Sequence, residues 1–144
     1  MLDRFLDRTI VGSYDRTGFR RHARRFAPLV ERDLSGQRLL ITGGTSGIGL
    51  AVARALGSRG ALPSGGGRCE QSGARAVAEL TSARFVSVDL GDLDAVARAA
   101  RQVPGPLAGV VLNAGAMPLQ RTLTPQGHEL VWASQVLGHL CLLR

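Results

Sequence analysis

The stretch Arg38-Leu-Leu-Ile-Thr-Gly-Gly-Thr-Ser-Gly-Ile-Gly49 decides the fold of this chain. Its apolar run, residues 39–41, is typical of a strand buried on both faces, and the run ends in a glycine-rich turn. Beyond the turn, apolar residues between positions 48 and 56 recur at helical spacing. The stretch therefore predicts a strand, a tight turn and a helix, which together make the first half of a β-α-β unit.

The glycines of this turn suit an anionic ligand. A helix N-terminus offers unpaired N–H groups and a partial positive charge, and a phosphate binds where the backbone can approach it closely. We assign the sharp turn to Gly43, the close approach to Gly47 and helix–strand packing to Gly49. Thr45 and Ser46 add hydroxyls that donate to phosphate oxygens or cap the helix. A glycine turn without a ligand is the alternative, but the flanking strand and helix favour dinucleotide binding.

Three motifs in order resemble the short-chain dehydrogenase/reductase superfamily. The first is Thr-Gly-x-x-x-Gly-x-Gly at residues 42–49, and the second is Val88-Asp-Leu90, which resembles the strand end that meets the adenine. The third, Leu112-Asn-Ala-Gly115, resembles the Asn-Asn-Ala-Gly motif with Leu in the first place. The resemblance covers residues 34–144. It implies a cofactor site formed by Gly43, Thr45, Ser46, Gly47, Ile48, Gly49, Arg68, Asp89, Leu90, Asn113, Ala114 and Gly115.

Residues 61–68, Ala-Leu-Pro-Ser-Gly-Gly-Gly-Arg, lie where the second strand is expected. A proline and three glycines suit a central strand poorly, so the sequence predicts a frayed strand or a loop. Arg68 still follows Gly67 at the place where the family contacts the adenosine ribose. An acidic residue there selects NAD, whereas an arginine pairs with the 2′-phosphate of NADP. Arg68 therefore favours NADP over NAD, and a solvated loop arginine is the alternative.

Helices and strands alternate along the rest of the sequence. Helices are predicted over residues 73–81, 93–103 and 126–143, and strands over residues 84–88 and 107–112. This order requires parallel strands joined by right-handed crossovers. The resemblance implies a Rossmann-type α/β sheet of order 3-2-1-4 with helices on both faces, without the C-terminal strands of the family. The cofactor is then expected at the carboxyl ends of strands 1 and 4.

Residues 1–36 are interpreted as an N-terminal helical arm, and residues 37–144 as an incomplete NAD(P)-binding domain. Apolar spacing predicts one helix near residues 2–10 and another near residues 19–27. We expect the arm to pack on the domain or on a partner subunit. An interfacial membrane helix is the alternative, which the acidic residues of the arm oppose. The run Tyr14-Asp-Arg-Thr-Gly-Phe19 resembles the branch typified by dehydrogenase/reductase family member twelve.

All 18 basic residues are arginines, and the formal net charge is +7. Four of these arginines fall within residues 20–25, a run that we interpret as a solvated helix face because no nucleic-acid-binding motif accompanies it. Cys69 and Cys141 are the only cysteines, which argues against a disulfide framework and favours the reducing cytoplasm. The sequence predicts neither a membrane-spanning run nor a secretory signal.

The family's catalytic centre uses a serine, a Tyr-x-x-x-Lys signature and a supporting asparagine. Tyr14 is the only tyrosine and lysine is absent, so we predict no catalytic residue in this chain. The run Ala133-Ser-Gln-Val-Leu-Gly-His139 resembles a helical motif of the family, with Gln135 at the position of the asparagine. His139 is expected to be a packing or helix-surface residue, and no ligands are spaced for a metal ion.

Two functions remain open from the sequence. In the first, the chain is the N-terminal part of an oxidoreductase that transfers hydride between NADP(H) and a small-molecule carbonyl or alcohol. In the second, it is a catalytically inactive nucleotide-binding or interaction module, a degenerate remnant of such an enzyme. A homo-oligomer formed through the fourth strand or the last helix is compatible with both, and a nucleic-acid partner is expected in neither.

Overall fold

A computed structural model of the chain describes residues 14–27, 32–80 and 82–144. The chain divides into two compact units, Met1–Arg32 and Asp33–Arg144. In chain order, the helices and strands are α1 Arg16–Ala23, β1 Arg38–Thr42, α2 Gly47–Gly57, β2 Leu62–Gly67, α3 Glu70–Glu79, β3 Arg84–Ser87, α4 Leu93–Ala100, β4 Gly109–Val111 and α5, residues 130–142.

The second unit is built on a four-stranded parallel sheet of order β3-β2-β1-β4. Leu40 of β1 pairs with Ser64 of β2 on one side and with Val110 of β4 on the other. The predicted order 3-2-1-4 is therefore confirmed. The direction of winding reverses between β1 and β4, and a crevice opens at the carboxyl ends of strands at such a point.

Residues 62–67 form a regular strand between β1 and β3, although their composition predicted a frayed strand or a loop. Leu62 N donates to Gln37 O and Gly67 O accepts from Val88 N, so alternate residues of β2 bond to opposite neighbours. By this alternation the nitrogen of Pro63 points toward β3. The pairing with β3 begins only at Ser64, so the proline removes no ladder hydrogen bond.

Helices cover both faces of the sheet, as predicted. Successive residues of a strand point to opposite faces, and β3 shows this directly. The ring of Phe85 lies against Gly73 of α3, whereas Val86 belongs to a buried apolar cluster with Val96 of α4. Cys141 of α5 packs against the same cluster. The sheet is thus enclosed by α3 on one face and by α4 and α5 on the other.

The last helix begins later than predicted. We expected it from residue 126, but α5 starts at Leu130, with the Glu129 carboxylate accepting from Trp132 N at 2.9 Å. Gln126 instead lies in a turn, and its amide donates to Asp92 Oδ1 at 2.9 Å. Apolar spacing alone did not reveal where the helix starts, because the start is set by a polar residue, the capping carboxylate directly before the helix.

Helix α5 consists of three segments: the α-helical turn Leu130–Trp132, the π-helical segment Ala133–Leu137 and the α-helical segment Gly138–Leu142. A π-helical segment widens the helix by one residue and is frequent near functional sites. The other predicted helices shift by a few residues: α3 spans Glu70–Glu79 and α4 ends at Ala100.

In the first unit, α1 spans Arg16–Ala23, earlier than the predicted 19–27. Asp15 caps it by accepting from Gly18 N at 2.8 Å. Phe19 and Phe26 meet edge to face, with ring centroids 6.2 Å apart. The predicted helix near residues 2–10 lies outside the described residues, and the boundary placed at residue 36 stays a prediction.

Candidate dinucleotide site

A cleft of about 620 Å³ lies at the carboxyl ends of the strands. Every residue of the predicted cofactor site lines it except Gly49: Gly43, Thr45, Ser46, Gly47, Ile48, Arg68, Asp89, Leu90, Asn113, Ala114 and Gly115. These residues come from four separate segments of the chain, and the sheet brings them to one edge. The walls also contain residues outside the predicted cofactor site: Thr42, Gly66, Gly67, Cys69, Ser72, Val88, Ala116, Leu130 and Ser134.

The three motif glycines occupy different environments. Gly43 has a φ of +68°, and a Cβ there would lie 2.9 Å from Asn113 Nδ2. Gly49 is buried, and a Cβ there would collide with the carbonyl oxygen of Gly43. Gly47 has a φ of +51°, and a Cβ there would meet nothing within 4 Å. Gly43 and Gly49 thus make the turn compact, and Gly47 borders the open cleft.

The N-terminus of α2 supplies donors for an anion at this end of the cleft. Ser46 is the N-cap residue, yet its hydroxyl makes no capping hydrogen bond. The hydroxyl and the first N–H groups of a helix that spans Gly47–Gly57 are therefore available at the cleft wall. Helix N-termini of this kind bind phosphate through their N–H groups and their positive dipole end.

Thr42 connects the glycine turn to the loop after β4. Its hydroxyl oxygen accepts from Asn113 N at 2.9 Å and from Ala114 N at 3.0 Å. In return, Asn113 Nδ2 donates to the carbonyl oxygen of Thr42 at 3.0 Å. Thr42 is almost completely buried, with 1% of its surface exposed. These bonds fix the Asn-Ala-Gly segment against the end of β1.

Arg68 and Asp89 lie at the cleft's opposite end, beyond β2 and β3. Among the described residues, no ion pair involves Arg68. The Asp89 carboxylate accepts from Gly91 N at 2.9 Å, which fixes its position. Gly67, just before Arg68, has little room for a side chain, because a Cβ there would lie 3.0 Å from Thr45 Oγ1.

Cys69 also lines this end of the cleft, at the N-cap position of α3. The Ser72 hydroxyl donates to its sulfur at 3.4 Å. This hydrogen bond is the main reason that the pKa of the exposed Cys69 thiol lies below its ordinary value. The sequence analysis did not predict that Cys69 lines the cleft. Its position directly after Arg68, at the end of a strand, was the feature that could have indicated this.

A short chain dehydrogenase family model matches residues 37–135. The chain belongs to this family. It is 41% identical over 116 residues to a Streptomyces lividans protein described as a probable oxidoreductase; the match covers 76% of this chain and 39% of that protein. The chain thus spans about two fifths of the length of the curated relatives that it matches.

Solved structures of other proteins share the fold. One, described as a short chain dehydrogenase/reductase family protein, has 41% sequence identity and a TM-score of 0.68, and the match covers 78% of this chain and 48% of that one. Another, a blue fluorescent protein from a metagenomic library in complex with NADPH, has 27% identity and a TM-score of 0.67 over 78% of this chain and 50% of that one. The narrower resemblance of residues 14–19 to one branch stays a prediction.

Gln135, which we expected at the position of the family's supporting asparagine, lies in the π-helical segment of α5. Its side chain is exposed, and Nε2 donates to Ala116 O at 3.0 Å, next to Gly115 on the cleft wall. Ser134 borders the cleft, but its hydroxyl donates to Leu130 O at 2.7 Å within the helix. The Ser134 hydroxyl proton is therefore engaged within the helix, and the Gln135 amide is a hydrogen-bonding group that does not transfer protons.

In residues 14–27, 32–80 and 82–144, no helix has the length and apolar character to span a bilayer. The same residues contain no group of three or more His, Cys, Asp or Glu side chains that could hold a metal ion.

Proposed function

We propose that this short chain dehydrogenase chain binds NADP(H) in the cleft. The observation that carries the proposal is the convergence of the glycine turn, the Asp89 strand end and the Asn113–Gly115 segment on one cavity. The N-terminus of α2 and the unused Ser46 hydroxyl suit the pyrophosphate. Gly47 leaves open space at the wall, so the residues present fit a dinucleotide.

The preference for NADP over NAD is inferred from the end of β2. NAD-selective sites present a carboxylate to the ribose hydroxyls, and the crowding of Gly67 by Thr45 works against a side chain at that position. Arg68 then offers a guanidinium with five donors and no ion pair within the described part of the chain. The NADPH complex of a structural relative is consistent with this cofactor for the fold.

Within a longer protein, we propose that this cleft serves hydride transfer to or from a small-molecule carbonyl or alcohol. The bound nicotinamide supplies the hydride chemistry. This chain's own residues bind and orient the dinucleotide: the α2 N-terminus at the phosphates, Asp89 and Leu90 beside the adenine, and Arg68 at the ribose. The proton-transfer group is not among them, because the sequence holds no lysine and its single tyrosine is Tyr14.

A second function is a nucleotide-binding or interaction module without catalysis. It is favoured by Gln135, which stands at the position of the family's asparagine and is engaged with Ala116 O. A nucleotide-binding module shares cofactor binding with the oxidoreductase, so only an activity assay separates these two. Hydride transfer by this same chain, followed as a change in NADPH absorbance with a panel of aldehydes and ketones, would contradict the absence of a catalytic centre.

Calorimetric titration of the chain with NADPH and NADH tests the binding proposal. We expect NADPH to bind about tenfold more tightly or better, because a charge-assisted pair with a phosphate contributes about 1.5–3 kcal/mol. Arg68→Gln should remove most of this difference. Arg75→Gln is the matched control, since Arg75 is exposed on α3 but does not line the cleft. Equal affinities in the wild-type chain would exclude the role assigned to Arg68.

A further inference from the structure

His139 is a buried histidine on α5 that the family motifs leave without a role. Only 7% of its surface is exposed, so of the two expected places, packing or helix surface, His139 occupies a packing position. Both ring nitrogens have partners: Nδ1 lies 3.1 Å from Gln135 O, and Nε2 lies 3.0 Å from Thr42 Oγ1. A side chain that only filled space would not need two directed polar contacts.

The partners fix the direction of both hydrogen bonds. A carbonyl oxygen can only accept, so the proton lies on Nδ1 and is donated to Gln135 O. In this tautomer Nε2 is an acceptor, and the Thr42 hydroxyl donates to it. The other acceptor within reach of that hydroxyl, Val111 O, is farther away at 3.4 Å.

The Thr42 hydroxyl is then used completely. A hydroxyl has one proton to donate and two lone pairs to accept with. The proton points to His139 Nε2, and the lone pairs face the N–H groups of Asn113 at 2.9 Å and Ala114 at 3.0 Å. If the proton turned elsewhere, at least one of these N–H groups would lose an aligned acceptor.

We propose that His139 is a positioning residue for the dinucleotide cleft. By accepting the Thr42 proton, it orients the lone pairs that hold Asn113 and Ala114, and these two residues form the cleft wall after β4. Helix α5 thereby holds the loop at two points, because Gln135 Nε2 also donates to Ala116 O at 3.0 Å. This inference rests on the proposed function in one respect: NADPH affinity is used to measure whether the cleft wall keeps its shape.

Two variants of His139 separate positioning from packing. His139→Phe keeps a planar ring but removes the acceptor, and His139→Gln supplies an amide oxygen near the position of Nε2. We expect His139→Phe to weaken NADPH binding about fivefold, as for loss of one aligned hydrogen bond, and His139→Gln to stay within about twofold of the wild-type chain. Thr124→Val is the matched control: Thr124 is also buried and accepts from His128 N, but it does not line the cleft.

Amide NMR spectra of the same variants give a readout that a general loss of stability would not produce. His139→Phe should shift the Asn113 and Ala114 amide resonances and leave that of Gly36 in place, and Thr124→Val should leave all three in place. Unchanged Asn113 and Ala114 resonances in a folded His139→Phe variant would overturn the proposal. If the wild-type chain binds no NADPH, the proposed function is contradicted. The shifts of the Asn113 and Ala114 amide resonances then test the positioning role of His139 by themselves.

The wild-type protein provides a test that needs no substitution. The ¹⁵N chemical shifts of the His139 ring distinguish a protonated from an unprotonated nitrogen. We expect Nδ1 to be protonated and Nε2 to be unprotonated and hydrogen-bonded. The opposite tautomer would exclude donation from Thr42 to His139 and would overturn the proposal even if His139→Phe failed to fold.

Discussion

At the scale of single residues, Gly47 has two properties that any single substitution changes together. Its φ of +51° strains any residue with a side chain, and its missing Cβ leaves open space at the cleft wall. Loss of NADPH binding in Gly47→Val would therefore not show whether the cause is backbone strain or a side chain that blocks the cofactor. Gly36 separates the two causes, since it has a φ of +74°, open space around its Cα and no place in the cleft.

We predict that Gly47→Ala and Gly36→Ala destabilise the fold similarly, by about 1–2 kcal/mol, because both force an L-residue into the left-handed region. Only Gly47→Ala should also weaken NADPH binding, by about tenfold or more, because its methyl group occupies the space for the pyrophosphate. Thermal unfolding gives the first quantity and calorimetry the second. Equal NADPH affinities in the two variants would assign a purely structural role to the turn.

The sequence motifs located the cleft residues at the ends of strands but not the cleft residues on helices. Residues such as Asn113 and Asp89 follow apolar runs, so the end of a strand was visible in the sequence. Ser72, Leu130 and Ser134 reach the cleft from helices, where only the fold determines which face is turned inward. His139 was missed for the same reason, since its partner Thr42 is 97 positions away in the chain.

At the scale of elements, β2 shows why composition alone misjudged a strand. Its glycines let the glycine-rich turn of residues 43–47 lie directly on the sheet. A Cβ on Gly44 would lie 3.0 Å from the Cα of Gly65, and a Cβ on Gly67 would lie 3.0 Å from Thr45 Oγ1. A Cβ on Gly65 would meet Gly44 at an ordinary 3.5 Å, so within β2 it is a side chain at Gly67 that would force Thr45 of the turn to shift. The information was in the sequence but depends on a contact between two distant segments.

The Asp92 cap of α4 gives a pH-dependent prediction at this scale. The hydrogen bond from the Gln126 amide, followed by that from Ala95 N–H, lowers the pKa of Asp92 below its ordinary 3.8. The unfolded chain then binds a proton more readily than the folded one. The stabilisation is therefore complete above the ordinary pKa and is lost as the pH falls through the lowered pKa of the folded state.

We expect the melting temperature to fall as the pH drops from about 6 to about 2, and Asp92→Asn to make this fall shallower. Asp94→Asn is the control, because Asp94 lies on the same helix, accepts no backbone N–H among the hydrogen bonds of the described residues, and meets the Gln126 amide only at 3.5 Å. Identical pH profiles for Asp92→Asn and the wild-type chain would mean that the cap contributes no charge-dependent stability.

At the scale of the whole molecule, the parallel order of strands was predictable because alternating helices and strands allow few topologies. What covers the outer surfaces of the sheet and of its helices was not predictable from the sequence. Within the described residues, β4 pairs only with β1, so its other edge has no strand beside it. Helix α5 and the residue that follows it add Trp132, Leu140 and Leu143, each more than half exposed. An open strand edge and exposed apolar side chains on a helix are each prone to association.

We predict that the 144-residue chain self-associates in solution through these two features. Leu140→Glu should raise the concentration needed for association roughly tenfold, because a carboxylate would have to be buried on contact. Met117→Glu is the matched control: Met117 is 90% exposed but lies in the loop after β4, outside α5. Analytical ultracentrifugation over a concentration series measures both variants. A monodisperse wild-type monomer with one cooperative thermal transition would show instead that the exposed face of α5 and the free edge of β4 are compatible with a stable, isolated fold.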